Sequence, residues 1–246
     1  MNTIDKIKMI HRFWRYRLRA EKESVRFLLE QNLEGSTLID IGANKGIYTY
    51  WLSKKAGKNG KVFSFEAQPE LEDHLIEVKK AFHLTNTRIE SVGLSSEQGK
   101  SYIYRSKIGA GGASIEKQFS NDSKELENLE KIGIELTTLD IFAKNNNLQN
   151  LSFIKCDVEG HEFSVFKGAK ETLKQYTPTL LFECYHDEAA SGEIFNFLTA
   201  LGYSGFFIAG GEKHHFSKFN DYKYPRSDNH RNYIFMRKDK MPELSA

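Results

Sequence analysis

The sequence predicts an α/β domain, a Rossmann-like sandwich whose seven-stranded, mostly parallel sheet ends in one antiparallel strand and is preceded by N-terminal helices. Three observations predict it. Short apolar runs of strand length alternate with stretches of helical periodicity, as in a parallel sheet with crossover helices. The first run ends in a Gly-rich turn that passes straight into a helix. Acids stand at the ends of successive runs, where open parallel sheets take their ligands. A chain of 246 residues with 39% hydrophobic content can fill one such core. The expected division is residues 1–35 as N-terminal basic amphipathic helices and 36–246 as the α/β domain.

The first 22 residues hold seven Lys/Arg against Asp5 and Glu21, a net +5 in a chain whose total is +2, so the remainder carries −3. Ile4, Ile7, Ile10, Phe13, Trp14 and Leu18 recur at helical spacing, which reads as a basic amphipathic helix. One reading lays this helix on the domain with its basic face solvated. The other has residues 1–22 contact an anionic surface, such as a membrane carrying a lipid-linked substrate or an acidic glycan. A second helix is expected over Ala20 to Asn32, stopped by Gly35.

Leu38-Ile39-Asp40-Ile41 is the first strand, and Gly42-Ala43-Asn44-Lys45-Gly46 the turn into a helix from Ile47. Glycines here let backbone turn sharply and approach a ligand, and the helix start offers N–H donors. A dinucleotide fingerprint would need glycines where Asn44 and Ile47 stand, so the pyrophosphate reading is weak. Asp40 instead gives D-x-G-x-x-x-G, suited to a cationic ligand that carries an amino acid. S-adenosylmethionine (SAM) is such a ligand. Glu66 ends the next run, Lys61 to Phe65, where a carboxylate can accept both ribose hydroxyls, although a nicotinamide enzyme would place an acid there too. Pro69 opens a helix to about Phe82, and Thr87 to Val92 is the third strand, bringing Ser91, Val92 and Gly93 to the same edge. Gly99 to Tyr104 is expected to pair with the strand after it. From Arg105 to Ile134 the periodicity breaks down around Gly109 to Ser114, with a weakly helical polar stretch from Glu116 to Lys131; a substrate loop or an inert insertion would read this way.

Ser152 to Cys156 runs as a buried strand into Asp157-Val158-Glu159-Gly160-His161-Glu162, followed by a helix to about Gln175. Thr179 to Phe182 reaches Glu183-Cys184-Tyr185-His186. Methyl transfer to oxygen needs in-line approach and a base for the hydroxyl proton, and Asp157, Glu159, Glu183 and His186 are the candidates. Asp157 is first by strand position, with helix N-capping by Asp157 or Glu159 the competing account. Asp157, Glu183 and His186 are also a candidate set for Mg²⁺ or Mn²⁺. His161 is placed on the first helical turn rather than in the crevice. A helix from Ala189 to Leu201, a strand over Gly202 to Ile208 and a final reversed strand over Asn232 to Arg237 complete the sheet. Between the last two, a loop with Gly210, Gly211, His214, His215, Tyr222, Tyr224 and His230 reads either as a polar, aromatic rim for a sugar or as solvent-exposed histidines of no consequence.

From about Ser36 to Arg237 the blocks IDIGANKG, FSFEAQPE, SVGLSSEQGK, TTLDIF, IKCDVEGHE and LLFECYH stand in an order and spacing that resembles the FkbM family of SAM-dependent methyltransferases. Ser91 and Gly93 take the places of the family's usual Asn and Ala. The resemblance implies a class I methyltransferase sandwich and transfer of the SAM methyl to a hydroxyl of a sugar, glycan or glycosylated natural product. It places SAM on Asp40, Gly42, Ala43, Asn44, Gly46, Glu66, Ala67, Ser91, Val92, Gly93 and Asp157. A nicotinamide oxidoreductase and a non-catalytic SAM-binding protein are the alternatives. Basic residues clustered at one end, with no aromatic platform, speak against nucleic acid. No apolar run reaches the ~18 to 20 residues of a membrane span, Cys156 and Cys184 read as reduced thiols, and a cytoplasmic location is expected.

Overall fold

The computed structural model describes residues 1–110, 112–115, 129–223 and 230–244. Gly111, residues 116–128 of the weakly helical stretch, and Tyr224 of the His-rich loop lie outside them.

Helix α1 (Thr3–Arg15) continues as a π-helical turn over Tyr16–Ala20 and is followed by α2 (Lys22–Glu30). Strand β1 (Thr37–Ile41), α3 (Ile47–Ala56), β2 (Lys61–Phe65), α4 (Glu72–Ala81) and β3 (Thr87–Glu90) form the first β-α-β-α-β half. Next come β4 (Gly93–Leu94), β5 (Gly99–Arg105), β6 (Glu130–Thr137) and α5 (Leu139–Asn145), whose first turn Thr138 caps by accepting from the Ile141 N–H at 3.0 Å. The second half holds β7 (Leu151–Cys156), α6 (Glu162–Lys167), α7 (Lys170–Tyr176) and β8 (Thr179–Tyr185). It continues with α8 (His186–Ser191), α9 (Glu193–Ala200), β9 (Tyr203–Ala209), β10 (Glu212–His215) and β11 (His230–Arg237).

The main sheet has eight strands in the order β10-β9-β11-β8-β7-β1-β2-β3. Strands β3, β2, β1, β7 and β8 are parallel, and β11 enters between β8 and β9 antiparallel to both. The eighth strand, beyond the seven expected, is β10, which turns back on β9 at the edge and absorbs the front of the His-rich loop. Strand β5 pairs with β6, as expected of a hairpin, in a separate three-stranded sheet with β4.

Two helices expected as continuous are each split at a glycine. Gly168 separates α6 from α7, and any Cβ there would meet the Ser95 carbonyl oxygen at 2.0 Å. Gly192, at φ +72°, separates α8 from α9.

Period-two alternation fills both faces of the sheet. Leu38, Val62, Phe153, Leu181 and Ile234 face α1, α2 and α3; Ile39, Phe63, Ile154, Leu180 and Phe235 face the opposite side with Phe142, Phe166 and Phe195. Helix α1 joins the first face through Met9 and Phe13, whose ring stacks on Tyr50 at 4.1 Å. Burying a side chain such as Phe13 stabilises by about 1.5–3 kcal/mol. Ile4, Ile7, Ile10, Trp14 and Leu18, grouped with Phe13 by sequence spacing, remain exposed. Among the described residues no helix is long and apolar enough to cross a membrane.

Candidate active site

The β1–α3 corner forms one wall of a cavity of about 580 Å³ at the carboxyl ends of the parallel strands. Gly42 (φ +79°), Asn44 (φ +46°) and Gly46 (φ +78°) turn the chain. A Cβ on Gly42 would lie 1.9 Å from the Asp157 carbonyl oxygen, so glycine there lets β1 and β7 approach each other. The turn is a weaker source of free donors than its glycines suggest. Gly42 and Ala43 donate their N–H groups to the Phe65 carbonyl, Gly46 to that of Ala43, and Asn44 to Glu66 Oε2 at 2.6 Å. Ligand recognition therefore passes to the carboxylates.

Glu66 is buried at the end of β2, its second oxygen accepting from the Gln68 N–H at 2.9 Å. Glu66 lines the cavity, and a carboxylate's two oxygens can together accept a pair of ribose hydroxyls. Burial pushes the Glu66 carboxyl up despite these bonds. Asp40 is buried in mid-strand and accepts from the Thr49 hydroxyl of α3 at 2.6 Å. Burial raises it to about 6; Thr49 and Lys155 oppose the rise, and the charges of Asp157 and Glu66 add to it. A carboxylate destabilised in this way gains most from a cation placed beside it.

Across the cavity the ends of β7 and β8 bring together Asp157, Glu159 and Glu183, with oxygens of all three within 4.8 Å of one another. Lys155, buried inside β7, sets its Nζ 3.3 Å from Asp157 Oδ2 and 5.0 Å from the centre of the Tyr48 ring. His230 Nε2 lies 2.9 Å from Glu183 Oε1. Burial alone would raise the Asp157 carboxyl, but Lys155 and a hydrogen bond from Glu183 outweigh it and hold Asp157 below the ordinary range. Glu183 is pushed up by burial and by Asp157, so the proton of this pair resides on Glu183. Glu159, at φ +55°, is raised to about 7, first by burial and then by Asp157. Tyr185 donates its hydroxyl to Glu159 Oε2 at 2.5 Å. The loop between is tied by Glu162, a buried carboxylate that accepts from the N–H groups of Val158 (2.7 Å) and Gly160 (3.0 Å). Asp157 therefore is not the helix cap; Glu162 organises that turn.

The other expected site residues divide. Ala67, Val92 and Gly93 line the cavity, whereas Ser91 is exposed and outside its wall. His161 does precede the first turn of α6, yet it also lines the cavity, with Nε2 2.9 Å from Ser95 Oγ. His186 is the correction: it opens α8 with its ring against Phe219 and lies outside the cavity wall, because the chain leaves the sheet after Tyr185. Of the His-rich loop, His230 reaches the site. His214 is buried and stacks on Tyr222 at 4.1 Å, so it supports β9 and β10 and forms no rim. Arg12 and Arg15 of α1 and Lys45 of the turn also line the cavity.

Comparison with known proteins decides the lineage. Residues 40–204 match the Methyltransferase FkbM domain. The chain belongs to the FkbM methyltransferase family. Hexuronic acid methyltransferase AglP of Haloferax volcanii is 30% identical over 169 residues, which cover 68% of this chain and 64% of that protein. The chain thus spans less than two thirds of the length of this curated relative. Among solved structures, the FkbM methyltransferase of Methylobacillus flagellatus superposes with a TM-score of 0.55 at 16% identity, over 84% of this chain and 45% of that one. A putative methyltransferase of Streptococcus mutans, solved in complex with SAH, gives 0.51 at 11% identity over 89% and 97%. These likenesses support the SAM-dependent methyltransferase fold.

This FkbM domain lines its cavity with residues its motifs do not single out, Lys155, Tyr185 and the arginines of α1, and with His230, expected only as part of a sugar rim. Lys155 was the findable one, since a lysine inside an apolar, buried strand needs an anionic partner. His230 faces Glu183 only through the pairing of β11 with β8, which no local pattern encodes. The set Asp157, Glu183 and His186 is not assembled as a metal site. In the acidic trio that does form, Asp157 is paired with Lys155, Glu183 with His230 and Glu159 with Tyr185.

Proposed function

We propose that this protein transfers the methyl group of SAM to a hydroxyl of an acidic sugar unit, a uronic acid within a glycan or glycoside. Asp40 and Glu66 would hold the amino-acid and ribose ends of the cofactor, with Ala43, Asn44, Ala67, Val92 and Gly93 walling its cleft. When bound, SAM supplies an electrophilic methyl on a sulfonium centre. Everything else required is proton handling, orientation and exclusion of water by the chain.

Glu159 is the base in this reading, and its environment is the observation that carries it. A carboxyl held at about 7 on the cavity wall is ionised about half the time near neutrality, where a general base works best. It takes the acceptor hydroxyl's proton as the oxygen attacks. Tyr185 orients it through Oε2, leaving Oε1 for the acceptor. Its left-handed backbone, uncommon for a side chain other than Asn or Asp, is fixed by the Glu162 carboxylate beneath the loop. Asp157, kept ionised by Lys155, stays an anchor and does not exchange protons.

The basic side chains of the lining support an acidic acceptor: the carboxylates would repel a uronate, whereas Arg12, Arg15 and Lys45 can pair with its carboxylate and present the hydroxyl to the base. The substrate named for AglP supports the same class. The test is incubation with methyl-labelled SAM and matched glycosides of glucuronic acid and glucose. Label in the uronoside, with a base-stable product, is the expected outcome; equal labelling of the neutral glucoside would refute the acidic preference, and label in neither would refute the sugar reading.

A further inference from the structure

Helix α1 carries two apolar faces. One, Met9 and Phe13, is buried in the domain. The other is a stripe of Ile4 (66% exposed), Ile7 (61%), Ile10 (41%), Trp14 (46%) and, on the π-helical turn, Leu18 (60%). At roughly 100° per residue these five fall within an arc of about 120° on the side away from the core. Nearly every exposed large hydrophobic side chain of the described protein is in this stripe, the other two being Tyr102 and Ile108. Basic residues border both of its edges: Lys8, Arg15 and Arg19 along one, Lys6 and Arg17 along the other, with Arg17 stacked over Trp14 at 4.9 Å. Leaving such a stripe in water is costly, and a soluble surface helix has no use for a second apolar face.

We propose that α1 is a peripheral membrane helix that lies in the headgroup region of an anionic bilayer and sets the cavity mouth against that surface. Charge decides the occupant. Seven Lys/Arg against two acids in residues 1–22 favour an anionic lipid surface. They disfavour a second copy of the chain, because pairing two such stripes would bring two equally basic segments together. The flanking lysines and arginines have stems long enough to reach phosphates while the stripe inserts. A helix lying in the headgroup region inserts into one leaflet, and its hold is reversible. Since Arg12 and Arg15 of the same helix line the cavity, the docked enzyme would draw its acceptor from the membrane surface. Attachment itself does not rest on the assigned reaction.

The experiment is co-sedimentation of the full chain with equimolar phosphatidylcholine–phosphatidylglycerol vesicles and with phosphatidylcholine alone, reading Trp fluorescence in parallel. Binding to the anionic vesicles with a blue shift is expected, at least about tenfold stronger than to neutral ones and weakened by salt. The variant I4S/I7S/L18S alters three exposed side chains away from the cavity. It should lose binding about tenfold or more while its SAM affinity, measured by calorimetry, stays at the parent value. Equal binding to neutral vesicles, or undiminished binding by the variant, overturns the proposal. So does a dimer in sedimentation equilibrium that the same substitutions dissociate, which would assign the stripe to a second copy.

Discussion

Replacing Asp40 by Asn should stabilise the empty protein and cripple cofactor binding at once. Lifting the Asp40 carboxyl from 3.8 to about 6 means that, at neutral pH, the folded state carries an ionised group costing about 3 kcal/mol. Asn is nearly isosteric and can still accept from the Thr49 hydroxyl, but its amide brings donors that need partners, so the net gain is about 1–3 kcal/mol. For a chain of this size that raises Tm by about 3–10 °C. The sign with pH follows from the raised value. In the parent, the stability contributed by Asp40 is fully present below about 3.8 and is lost as pH rises through about 6; in the variant this component is absent. SAM binding moves the other way. Losing a charged contact to the amino-acid end should weaken Kd roughly 10- to 100-fold at pH 7.5. Parent affinity should also decline as pH falls below about 6, where Asp40 protonates. Thermal melts of cofactor-free protein and calorimetric titrations across pH measure both. A variant that melts at or below the parent temperature, or binds SAM as tightly, refutes the claim that Asp40 is kept as a strained charge for a cationic ligand.

Glu159→Gln should lower kcat by about 10²–10⁴, match the parent's SAM affinity only below about pH 7, where the parent's Glu159 is protonated, and abolish the loss of turnover that the parent shows as pH falls through about 7; a retained acidic limb would transfer the base role elsewhere. Lys155→Met removes the counter-charge of Asp157, whose side chain is 37% exposed toward the cavity, so the expected loss in chemical denaturation is about 1–3 kcal/mol, with SAM binding impaired. Unchanged stability would show that the buried ammonium is not what holds the acid pair. Exhaustive chelation with EDTA should leave turnover intact, since each acid of the trio already has a side-chain partner, Asp157 in Lys155, Glu183 in His230 and Glu159 in Tyr185; loss restored by Mg²⁺ or Mn²⁺ would reinstate a metal.

The parallel half of the fold was legible because its signals are local. Leu38-Ile39-Asp40-Ile41, the glycines after it and Glu66 at the next strand end specify strand, turn and crossover within 30 residues, and the structure places Asp40 and Glu66 on one cavity. Less local features were invisible. Gly168 and Gly192 break helices whose periodicity runs through them, one for a close approach to Ser95 and one through a left-handed backbone. Strand β10 pairs with β9 where His214 stacks on Tyr222 and packs near Phe207, a tertiary arrangement. His186 and His230 show the limit most plainly. Sequence adjacency to Glu183 favoured His186, whereas strand register delivers His230 to the Glu183 carboxylate.

The acids of this cavity also predict how it should tell cofactor from product. Asp40, Glu66, Asp157, Glu159 and Glu183 line one cavity, with Lys155 beside Asp157 and Arg12, Arg15 and Lys45 also in the lining, so carboxyl groups outnumber the lysines and arginines there. Such a lining favours a sulfonium in the ground state, which would slow methyl transfer if nothing else changed. As the proposed base, Glu159 would supply the compensation: on accepting the hydroxyl proton it would lose its negative charge as the positive charge of the cofactor disappears, which would keep the charge balance inside the cavity. The consequence can be measured without an acceptor. Ionised Glu159 should strengthen SAM binding, so Kd for SAM should tighten as pH rises through about 7, while SAH, which lacks the sulfonium charge, should show a much shallower dependence. Parallel slopes for the two ligands would mean that Glu159 does not sense the sulfonium, and the coupling of proton and methyl transfer through this residue would fall.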